Sequence, residues 1–272
     1  MELVPAESLD LDVLTALFNA GYSDYFVPLR LDRAGLEYTI AICDIDLAAS
    51  RVALEDGEPA AFAFLALRGD EGWIGGMATA PARRRRGLGR AALVAVLDEA
   101  RSRGAVSVRL EVIEQNKPAR RLYDKLGFER MRDLGVWILD SAAPRVTHAQ
   151  PAGFDVAHAW IRENRSAPEP WQRADETIEH MRARGLELHG LAVERDGRTV
   201  GALVYQLAQG PPGIAQLAAR DEQAAAHLLV AVAAQGDGLR FVNLPAGDPA
   251  ESALNLLRAR RQIGQRELRL SL

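Results

Sequence analysis

The sequence predicts an α+β (α/β) fold with two similar domains, each a mixed, mainly antiparallel, twisted sheet flanked by helices. Two observations support this. Asp-Gly pairs, which are typical of tight hairpin turns, separate apolar runs at Asp56-Gly57 and, 140 positions later, at Asp196-Gly197. Each hairpin is then followed by the same order of elements: strand, helix, strand, helix, strand. The repeated order indicates an internal duplication of a unit of roughly 130 residues.

In the first half, the hairpin VALEDGEPAAFAFLAL is followed by the strand GWIGGMATA. The next segment predicts a helix that ends at Gly104, because its apolar residues recur every three or four positions. These residues are Leu93, Val96, Leu97 and Ala100. The strand AVSVRLEVI, the helix PARRLYDKLG and a closing strand near GVWILD complete this half.

The second half repeats the order with AVERDGRTVGALVYQL, GIAQLAA, a helix EQAAAHLLVAVAAQG, the strand GLRFVNL, the helix PAESALNLLRARR and a closing strand QRELRLSL. Between the halves, DSAAPRVTHAQPAG is polar, contains Pro and Gly, and lacks an apolar period. We therefore predict a first domain at 1–141, a linker at 142–152 and a second domain at 153–272.

Composition excludes several classes of protein. With 272 residues, 48% of them hydrophobic, and a formal net charge of -4, the chain has the composition of a globular protein rather than of a general nucleic-acid binder. It lacks an 18-residue apolar run and a basic-then-apolar leader, which predicts a cytoplasmic protein without a membrane partner. The single cysteine, Cys43, is expected to be a reduced, packed thiol. No histidine pair has zinc-like spacing with further ligands, so we expect no metal. The chain is expected to be a monomer or a homodimer.

A basic loop stands out in this mildly acidic chain. Five arginines, Arg83–Arg86 and Arg90, surround Gly87 and Gly89 just before the first-half helix. Glycines let main-chain N–H groups approach a ligand, and a helix N-terminus attracts phosphate. Three interpretations compete: a solvated basic turn, a dinucleotide fingerprint GLGRAA with Glu111 as its acidic partner, and a pyrophosphate loop of another type. The fingerprint requires an apolar strand running directly into the first glycine, and four arginines intervene here.

Two motifs resemble those of the GNAT superfamily of N-acetyltransferases. The stretch MATAPARRRRGLGRAALVAVLDEA is similar to the family's acyl-coenzyme A binding motif, whose Arg/Gln-x-x-Gly-x-Gly/Ala core maps onto residues 84–89. The stretch NKPARRLYDKLGFE is similar to the family's Asn-x-x-Ala-x-x-x-Tyr-x-x-x-Gly-Phe motif. The matching residues are Asn116, Ala119, Tyr123, Gly127 and Phe128. The resemblance covers roughly residues 1–140, and the fold repeats more loosely in 145–272.

The resemblance implies that acetyl-coenzyme A (acetyl-CoA) is the cofactor. Main-chain groups of Met77, Ala78 and Thr79 would pair with its pantetheine arm as an added strand. N–H groups of residues 85–90 would hold the pyrophosphate, with side-chain contacts from one or two of the five arginines. The expected cofactor-binding residues of the loop and its surroundings are Arg84, Arg85, Arg86, Gly87, Leu88, Gly89, Arg90 and Asn116. Alternatively, Asn116 caps the next helix.

The implied activity is transfer of an acetyl group to a primary amine by direct attack of that amine. Tyr123 matches the family's tyrosine near the thioester sulfur and is the candidate general acid, with packing against LGF as the alternative. Glu111 is the candidate catalytic base, and Asp70 and Glu71 are alternatives. The acceptor is expected to be a small-molecule or peptide amine. The aromatic segment at 17–32 either walls the acceptor pocket or belongs to the core. A non-catalytic acyl-CoA sensor is the main rival function, and an interaction protein using the basic run is a distant third.

The second half lacks the chemistry of the first. In RDEQAAAHLL there is no Gly-x-Gly, and Asp221 and Glu222 would repel phosphate at the helix start. The following helix PAESALNLLRARR has no tyrosine. We therefore hypothesise a degenerate GNAT-like second domain and one cofactor site per chain.

Overall fold

The computed structural model describes residues 1–140, 146–208 and 210–272. Contacts divide the chain into two compact units. Unit 1 comprises Met1–Met131 and Glu267–Leu272, and unit 2 comprises Arg132–Arg266. These limits differ from the sequence-based division at 141 and 153. Positions 142–145 of the predicted linker lie outside the described residues, and its end forms a strand at Ala149–Ala152.

Unit 1 begins with a short strand and two helices, followed by the predicted alternation. Its elements are β1 (Glu2–Pro5), α1 (Leu11–Gly21), α2 (Arg33–Ile42), β2 (Ile45–Glu55), β3 (Glu58–Arg68), β4 (Glu71–Thr79), α3 (Leu88–Ser102), β5 (Ser107–Ile113) and α4 (Lys117–Lys125). The strand β6 (Glu129–Leu139) follows. Strands β1 to β4 pair antiparallel in chain order, and β5 pairs parallel with β4. The sheet is therefore mixed and mainly antiparallel, as the sequence predicts.

Unit 2 repeats this order after the strand β7. Its elements are β7 (Ala149–Ala152), α5 (Phe154–Asn164), α6 (Asp175–Ala183), β8 (His189–Arg195), β9 (Arg198–Ala208), β10 (Gly210–Ala219), α7 (Glu222–Ala233), β11 (Leu239–Pro245), α8 (Pro249–Leu256) and β12 (Arg260–Ser271). Strands β7 to β10 pair antiparallel, β11 pairs parallel with β10, and the part of β6 in this unit pairs antiparallel with β11. The duplicated order of elements is thus confirmed.

Both Asp-Gly pairs form the predicted hairpin turns. Asp56 and Gly57 have φ angles of 56° and 81°, and Asp196 and Gly197 have φ angles of 52° and 69°. Two successive left-handed residues match the right-handed twist of paired strands, and Asp-Gly adopts this conformation at low cost. Each turn joins two strands that pair antiparallel, β2 with β3 and β8 with β9.

Helix α3 buries the predicted apolar face against the sheet of unit 1. Its buried residues are Leu88, Ala92, Leu93, Val96, Leu97 and Ala100. They join a core formed with residues of β3, β4 and β5. Gly104 follows the helix with a φ of 85°, a left-handed conformation that commonly ends helices. This packing fixes the start of α3 relative to the end of β4.

The unit boundaries fall inside both closing strands, so that 129–131 of β6 and 267–271 of β12 are counted in unit 1 and the rest of each strand in unit 2. Leu268, Leu270 and Leu272 pack in the core of unit 1, and the Leu272 N–H donates to the Val106 carbonyl at 3.0 Å. Residues 132–139 of β6 belong to unit 2, where Leu139 pairs with Leu239. Alternating apolar residues predict that a strand forms, but not which sheet edge it joins, because both edges offer the same main-chain groups.

Candidate functional site

The site lies where β4 and β5 separate. The two strands pair only from Glu71 with Ser107 to Trp73 with Arg109. On its other side, β4 stays paired with β3 as far as Thr79. Just after β4, the Ala80 N–H donates to the carbonyl of Ala60, which lies in β3. Because main-chain groups of an antiparallel strand alternate in direction, those of Met77 and Thr79 point away from β3. Beyond Trp73, one edge of β4 therefore carries main-chain groups that β5 does not pair.

Gly75 marks a bulge just before this open edge. The register of β4 against β3 shifts between Ile74 and Gly76, so that one residue is inserted. A Cβ on Gly75 would lie 2.5 Å from the Trp73 ring, so a side chain does not fit there. Bulges redirect a strand and end regular pairing. This one accounts for the departure of β4 from the course of β5.

The open edge leads to the N-terminus of α3. The preceding loop contains two left-handed residues, Arg85 with a φ of 64° and Gly87 with a φ of 81°, and Gly87 is the N-cap residue. The first N–H groups of a helix have no intrahelical acceptor, and Gly87 has no side chain to cap them. Leu88 is 2% exposed and anchors this helix start among Ala53, Ala60 and Ala61.

Because Gly89 has no side chain, the start of α3 approaches β4 closely. A Cβ at this position would lie 2.8 Å from the Thr79 Oγ1 and 3.3 Å from the Met77 Cε. The helix terminus thus comes within close reach of the two β4 residues whose main-chain groups line the open edge. These residues fit a phosphate-bearing ligand with an extended arm, because uncapped N–H groups bind phosphate and an unpaired strand edge binds an extended chain.

The five arginines of the loop have different surroundings. Arg83 and Arg86 both bind the Glu55 carboxylate, at 2.7 and 3.0 Å. Arg84 binds Asp24 through two nitrogens and also donates to the Thr79 carbonyl at 3.1 Å. Among the residues that the structure describes, no ion pair holds the other two arginines of the loop, Arg85 and Arg90, and both are exposed.

Tyr123 lies beside Met77 at the start of the open edge. Its hydroxyl donates to the Met77 sulfur at 3.6 Å, and its ring packs edge-on against Phe128 with centroids 5.6 Å apart. Tyr123 thus makes the packing contact that the sequence analysis gave as its alternative role, while its hydroxyl is directed at Met77. Burial raises the pKa of Tyr123 well above its usual range, with Tyr22 and Tyr25 adding to the effect. The phenol therefore retains its proton at neutral pH.

Asn116 caps α4. Its Oδ1 accepts the Ala119 N–H at 3.2 Å, and its side chain opposes the rise that burial causes in the pKa of Tyr25. Glu111 lies on β5 beyond the last residue paired with β4, and its Oε2 accepts the Trp73 Nε1–H at 2.9 Å. The alternative bases, Asp70 and Glu71, precede Met77 by six or seven residues, or about 20 Å along an extended strand. Of the three carboxylates, Glu111 is thus the one that lies past the last paired residues, where the strands have separated.

The aromatic segment after α1 contributes both to the core and to the site. Phe18 is buried and packs on Phe62, whereas Phe26 is 50% exposed. Between them, the Tyr22 hydroxyl accepts the Met77 N–H at 3.2 Å and donates to the Met77 carbonyl at 3.3 Å. No sequence motif predicts this contact. The only signal was the aromatic spacing, which does not indicate a partner 55 residues away.

The corresponding place in unit 2 is filled by a side chain of its own. Strands β10 and β11 pair at Gly213 and Arg240 and then separate. Where they no longer pair, the Arg173 guanidinium donates to the main-chain carbonyls of Ala215 on β10 and Asn243 on β11, at 3.0 and 3.1 Å. It also pairs with Glu169 at 3.0 Å, and both side chains are buried.

The helix start of unit 2 is capped as well. The Asp221 carboxylate accepts the Ala224 N–H at 2.9 Å and pairs with Arg195 at 2.7 Å. Glu222 adds a second negative charge in the first turn. The two carboxylates thus lie at the helix start, as the sequence predicts, and they oppose phosphate binding there.

The part of the chain that the structure describes offers neither a metal site nor a membrane-spanning helix. The described residues contain no group of three or more His, Cys, Asp or Glu side chains arranged to hold a metal ion. No described helix is long and apolar enough to cross a membrane. Cys43 is buried, and burial raises the pKa of its thiol to about 12, so it is an unreactive packed group.

Comparisons with known proteins agree with this geometry. Residues 15–128 match the model of the acetyltransferase (GNAT) family. The [ribosomal protein bS18]-alanine N-acetyltransferase of Escherichia coli K12 is 40% identical over 74 residues, which are 27% of this chain and 50% of the relative. The corresponding Salmonella typhimurium protein is 42% identical over 73 residues, 27% of this chain and 49% of the relative. The chain therefore spans about half the length of the curated relatives it matches.

Two solved structures share the fold over almost the whole chain. A GCN5-related N-acetyltransferase from Sphaerobacter thermophilus superposes with a TM-score of 0.73 at 16% identity, covering 98% of this chain and 93% of that one. A tandem GNAT protein from the clavulanic acid biosynthesis pathway has a TM-score of 0.71 at 16% identity, covering 99% and 98%. The fold of both units is thus that of a tandem GNAT protein. In sequence, residues 15–128 of this chain match the GNAT family of acetyltransferases.

Proposed function

We propose that this chain is an acetyl-CoA-dependent N-acetyltransferase that acetylates a primary amine by direct attack of that amine. One continuous surface supports the proposal most strongly. The open edge of β4 at Met77 and Thr79 leads to the uncapped N-terminus of α3, where a Cβ on Gly89 would lie 2.8 Å from the Thr79 Oγ1. Such a surface suits a ligand with an extended arm and a pyrophosphate. Acetyl-CoA supplies an acyl group activated as a thioester.

The roles of individual residues follow from their positions. Main-chain groups of Met77 and Thr79 bind the arm, and N–H groups of the loop at 85–90 bind the pyrophosphate. Arg85 and Arg90 are the arginines available for further phosphate contacts, because Glu55 and Asp24 hold the other three.

For the reaction itself, a main-chain N–H of the β4 edge is the donor that can stabilise negative charge on the reacting carbonyl oxygen. Tyr123 is the candidate general acid for the leaving thiolate, since its protonated hydroxyl lies against Met77 at the open edge. Glu111 is the candidate base that deprotonates the amine, and its bond to Trp73 Nε1 fixes the position of its carboxylate.

Release of free thiol from acetyl-CoA in the presence of a panel of amines tests the activity. The panel should contain polyamines, amino acids, aminoglycosides and peptide N-termini, including an N-terminal alanine peptide because the bacterial relatives are named as alanine N-acetyltransferases. We expect amine-dependent thiol release with at least one class. Tight CoA binding without release for any amine would favour the acyl-CoA sensor instead.

Tyr123→Phe should lower turnover by about 100-fold while leaving CoA affinity within about twofold of wild type. The phenyl ring retains the packing against Phe128, and only the proton donor is lost. Measurements of thiol release against pH and of CoA binding by calorimetry separate the two effects. Tyr205→Phe in unit 2 is the matched control and should change neither. Equal turnover of Tyr123→Phe and wild type across pH would exclude the general-acid role.

A further inference from the structure

The segment that follows α1 contacts each part of the candidate cofactor site. We call residues 21–26 the α1 strap. Its Tyr22 hydroxyl bonds to both main-chain groups of Met77, accepting the N–H at 3.2 Å and donating to the carbonyl at 3.3 Å. A hydroxyl that donates to one group and accepts from the other satisfies both. Tyr22 therefore pairs with the edge of β4 much as one residue of an added strand would.

Two further contacts hold the strap in place. Asp24 binds Arg84 through both carboxylate oxygens, at 2.6 and 2.7 Å, and this hydrogen bonding lowers the pKa of Asp24. Arg84 also donates to the Gly21 carbonyl at 3.3 Å. The Asn116 side chain at the N-terminus of α4 lies close enough to Tyr25 to oppose the rise that burial causes in the pKa of Tyr25. The strap thus spans the region between β4, the basic loop and α4.

The partners of the strap are residues that the proposed cofactor needs. A pantetheine arm that pairs with β4 requires the Met77 N–H and carbonyl, which the Tyr22 hydroxyl uses. Arg84 belongs to the phosphate loop, and Asp24 neutralises its charge. Two hydrogen-bonding partners cannot occupy the same N–H with good geometry at the same time. Binding of the arm and the present position of Tyr22 therefore exclude one another.

We propose that the α1 strap is an intramolecular competitor of CoA, occupying the β4 edge through Tyr22 until the cofactor displaces it. The inference rests on the proposed function, because it assumes that CoA uses this edge. Its consequence is a lowered apparent affinity, since CoA binds only to the fraction of molecules in which the strap has left the edge.

The strength of the strap contacts suits a displaceable element. The side chains of Arg84 and Asp24 are 42% and 55% exposed, and exposed ion pairs contribute little to stability. The bond from the Met77 N–H to the Tyr22 hydroxyl is at the long end of the usual range, and the bond from that hydroxyl to the Met77 carbonyl is longer than usual. Phe26 is half exposed at the end of the strap. By contrast, the Arg173 side chain in unit 2 is only 6% exposed and is held by two carbonyls and Glu169. A ligand can therefore displace the contacts of the strap, whereas the Arg173 side chain is a fixed part of the core of unit 2.

Calorimetric titration of CoA into wild type, Tyr22→Phe and Asp24→Asn tests the proposal. Tyr22→Phe keeps the ring that packs on Phe18 and removes both bonds to Met77. We expect this variant to bind CoA about three- to tenfold more tightly than wild type, because the competing state loses its hydrogen bonds. Asp24→Asn, which frees Arg84, should also bind CoA more tightly. Tyr205→Phe is the matched control and should bind as wild type does.

The outcomes separate the two proposals. If wild type binds CoA and Tyr22→Phe binds it equally or more weakly, the strap proposal is wrong and the proposed function stands. If neither protein binds CoA, both proposals fail. Hydrogen exchange of the wild-type protein is an independent measurement. Peptides covering 21–26 should exchange faster when CoA is added, and peptides covering 84–90 more slowly. Slower exchange of the strap with CoA would overturn the competition.

Discussion

Gly89→Asp is expected to weaken CoA binding by about 100-fold or more. The new Cβ would lie 2.8 Å from the Thr79 Oγ1, where only hydrogen now fits, and the carboxylate would extend into the proposed phosphate site. Two like charges about 4 Å apart in a partly shielded site repel by about 4 kcal/mol, and each 1.4 kcal/mol corresponds to a tenfold change in affinity. Calorimetric titration measures the loss directly.

The same titration gives the number of sites. Wild type should bind one CoA per chain, because in unit 2 Arg173 fills the space between the separating strands and Asp221 caps the helix start. Gly89→Asp should then show no binding heat. Two equivalents in wild type, or one equivalent remaining in Gly89→Asp, would contradict the proposal of a single site in unit 1.

Two further variants separate the effect of the added charge in Gly89→Asp on CoA binding from its effect on folding. Gly69→Asp introduces the same side chain into the turn at the opposite end of β4. There the φ is 56°, which Asp tolerates, and no atom lies within 4 Å of the added Cβ. It should bind CoA as wild type does. Gly89→Ala adds only the methyl group to a helical position that favours Ala, so it should show a smaller loss than Gly89→Asp. If Gly69→Asp lost binding equally, the effect of Gly89→Asp would not be specific to the loop.

Local patterns predicted the elements that carry the candidate site. The Asp-Gly turns, the apolar spacing of α3 and the glycine loop each depend on residues within one or two turns of chain, and all form as expected. Asn116 is the N-cap of α4, and Tyr123 lies on the same helix within two helical turns of it. The spacing of their motif therefore fixes their relative positions as well. Such short-range relations are encoded in the sequence because few other conformations satisfy them.

Contacts between distant segments could not be predicted in the same way. Tyr22 meets Met77 across 55 positions, and Arg173 meets Asn243 across 70. The stretch around Arg173, RENRSAPEPWQRADE, is polar and contains two prolines, which predicts an exposed loop. Arginine is seldom fully buried unless it is paired, and its partner, Glu169, cannot be identified from charge alone among 37 acidic residues.

Arg173→Met is expected to destabilise unit 2 by about 3–5 kcal/mol, the cost of leaving one member of a buried ion pair without its partner. Glu169 would keep its buried carboxylate, and the carbonyls of Ala215 and Asn243 would lose their donor. Urea unfolding measures the loss. Arg182→Met is the matched control, because Arg182 is 46% exposed and pairs with an exposed Asp155, so it should cost at most about 1 kcal/mol.

A second substitution and a change of pH test whether the buried charge of Glu169 causes the destabilisation by Arg173→Met. Burial raises the pKa of Glu169, and Arg173 opposes this rise, so removing Arg173 raises the pKa of Glu169 further. The folded variant then binds more protons than the unfolded chain, and its stability falls as pH rises above the ordinary pKa of a glutamate. The destabilisation should therefore shrink as the pH is lowered from 7 towards that value. Arg173→Met combined with Glu169→Gln should recover part of the loss at neutral pH. The loss of stability could instead be the same at every pH, and the same with Glu or Gln at position 169. That result would show that packing, and not the uncompensated carboxylate, makes Arg173 necessary to unit 2.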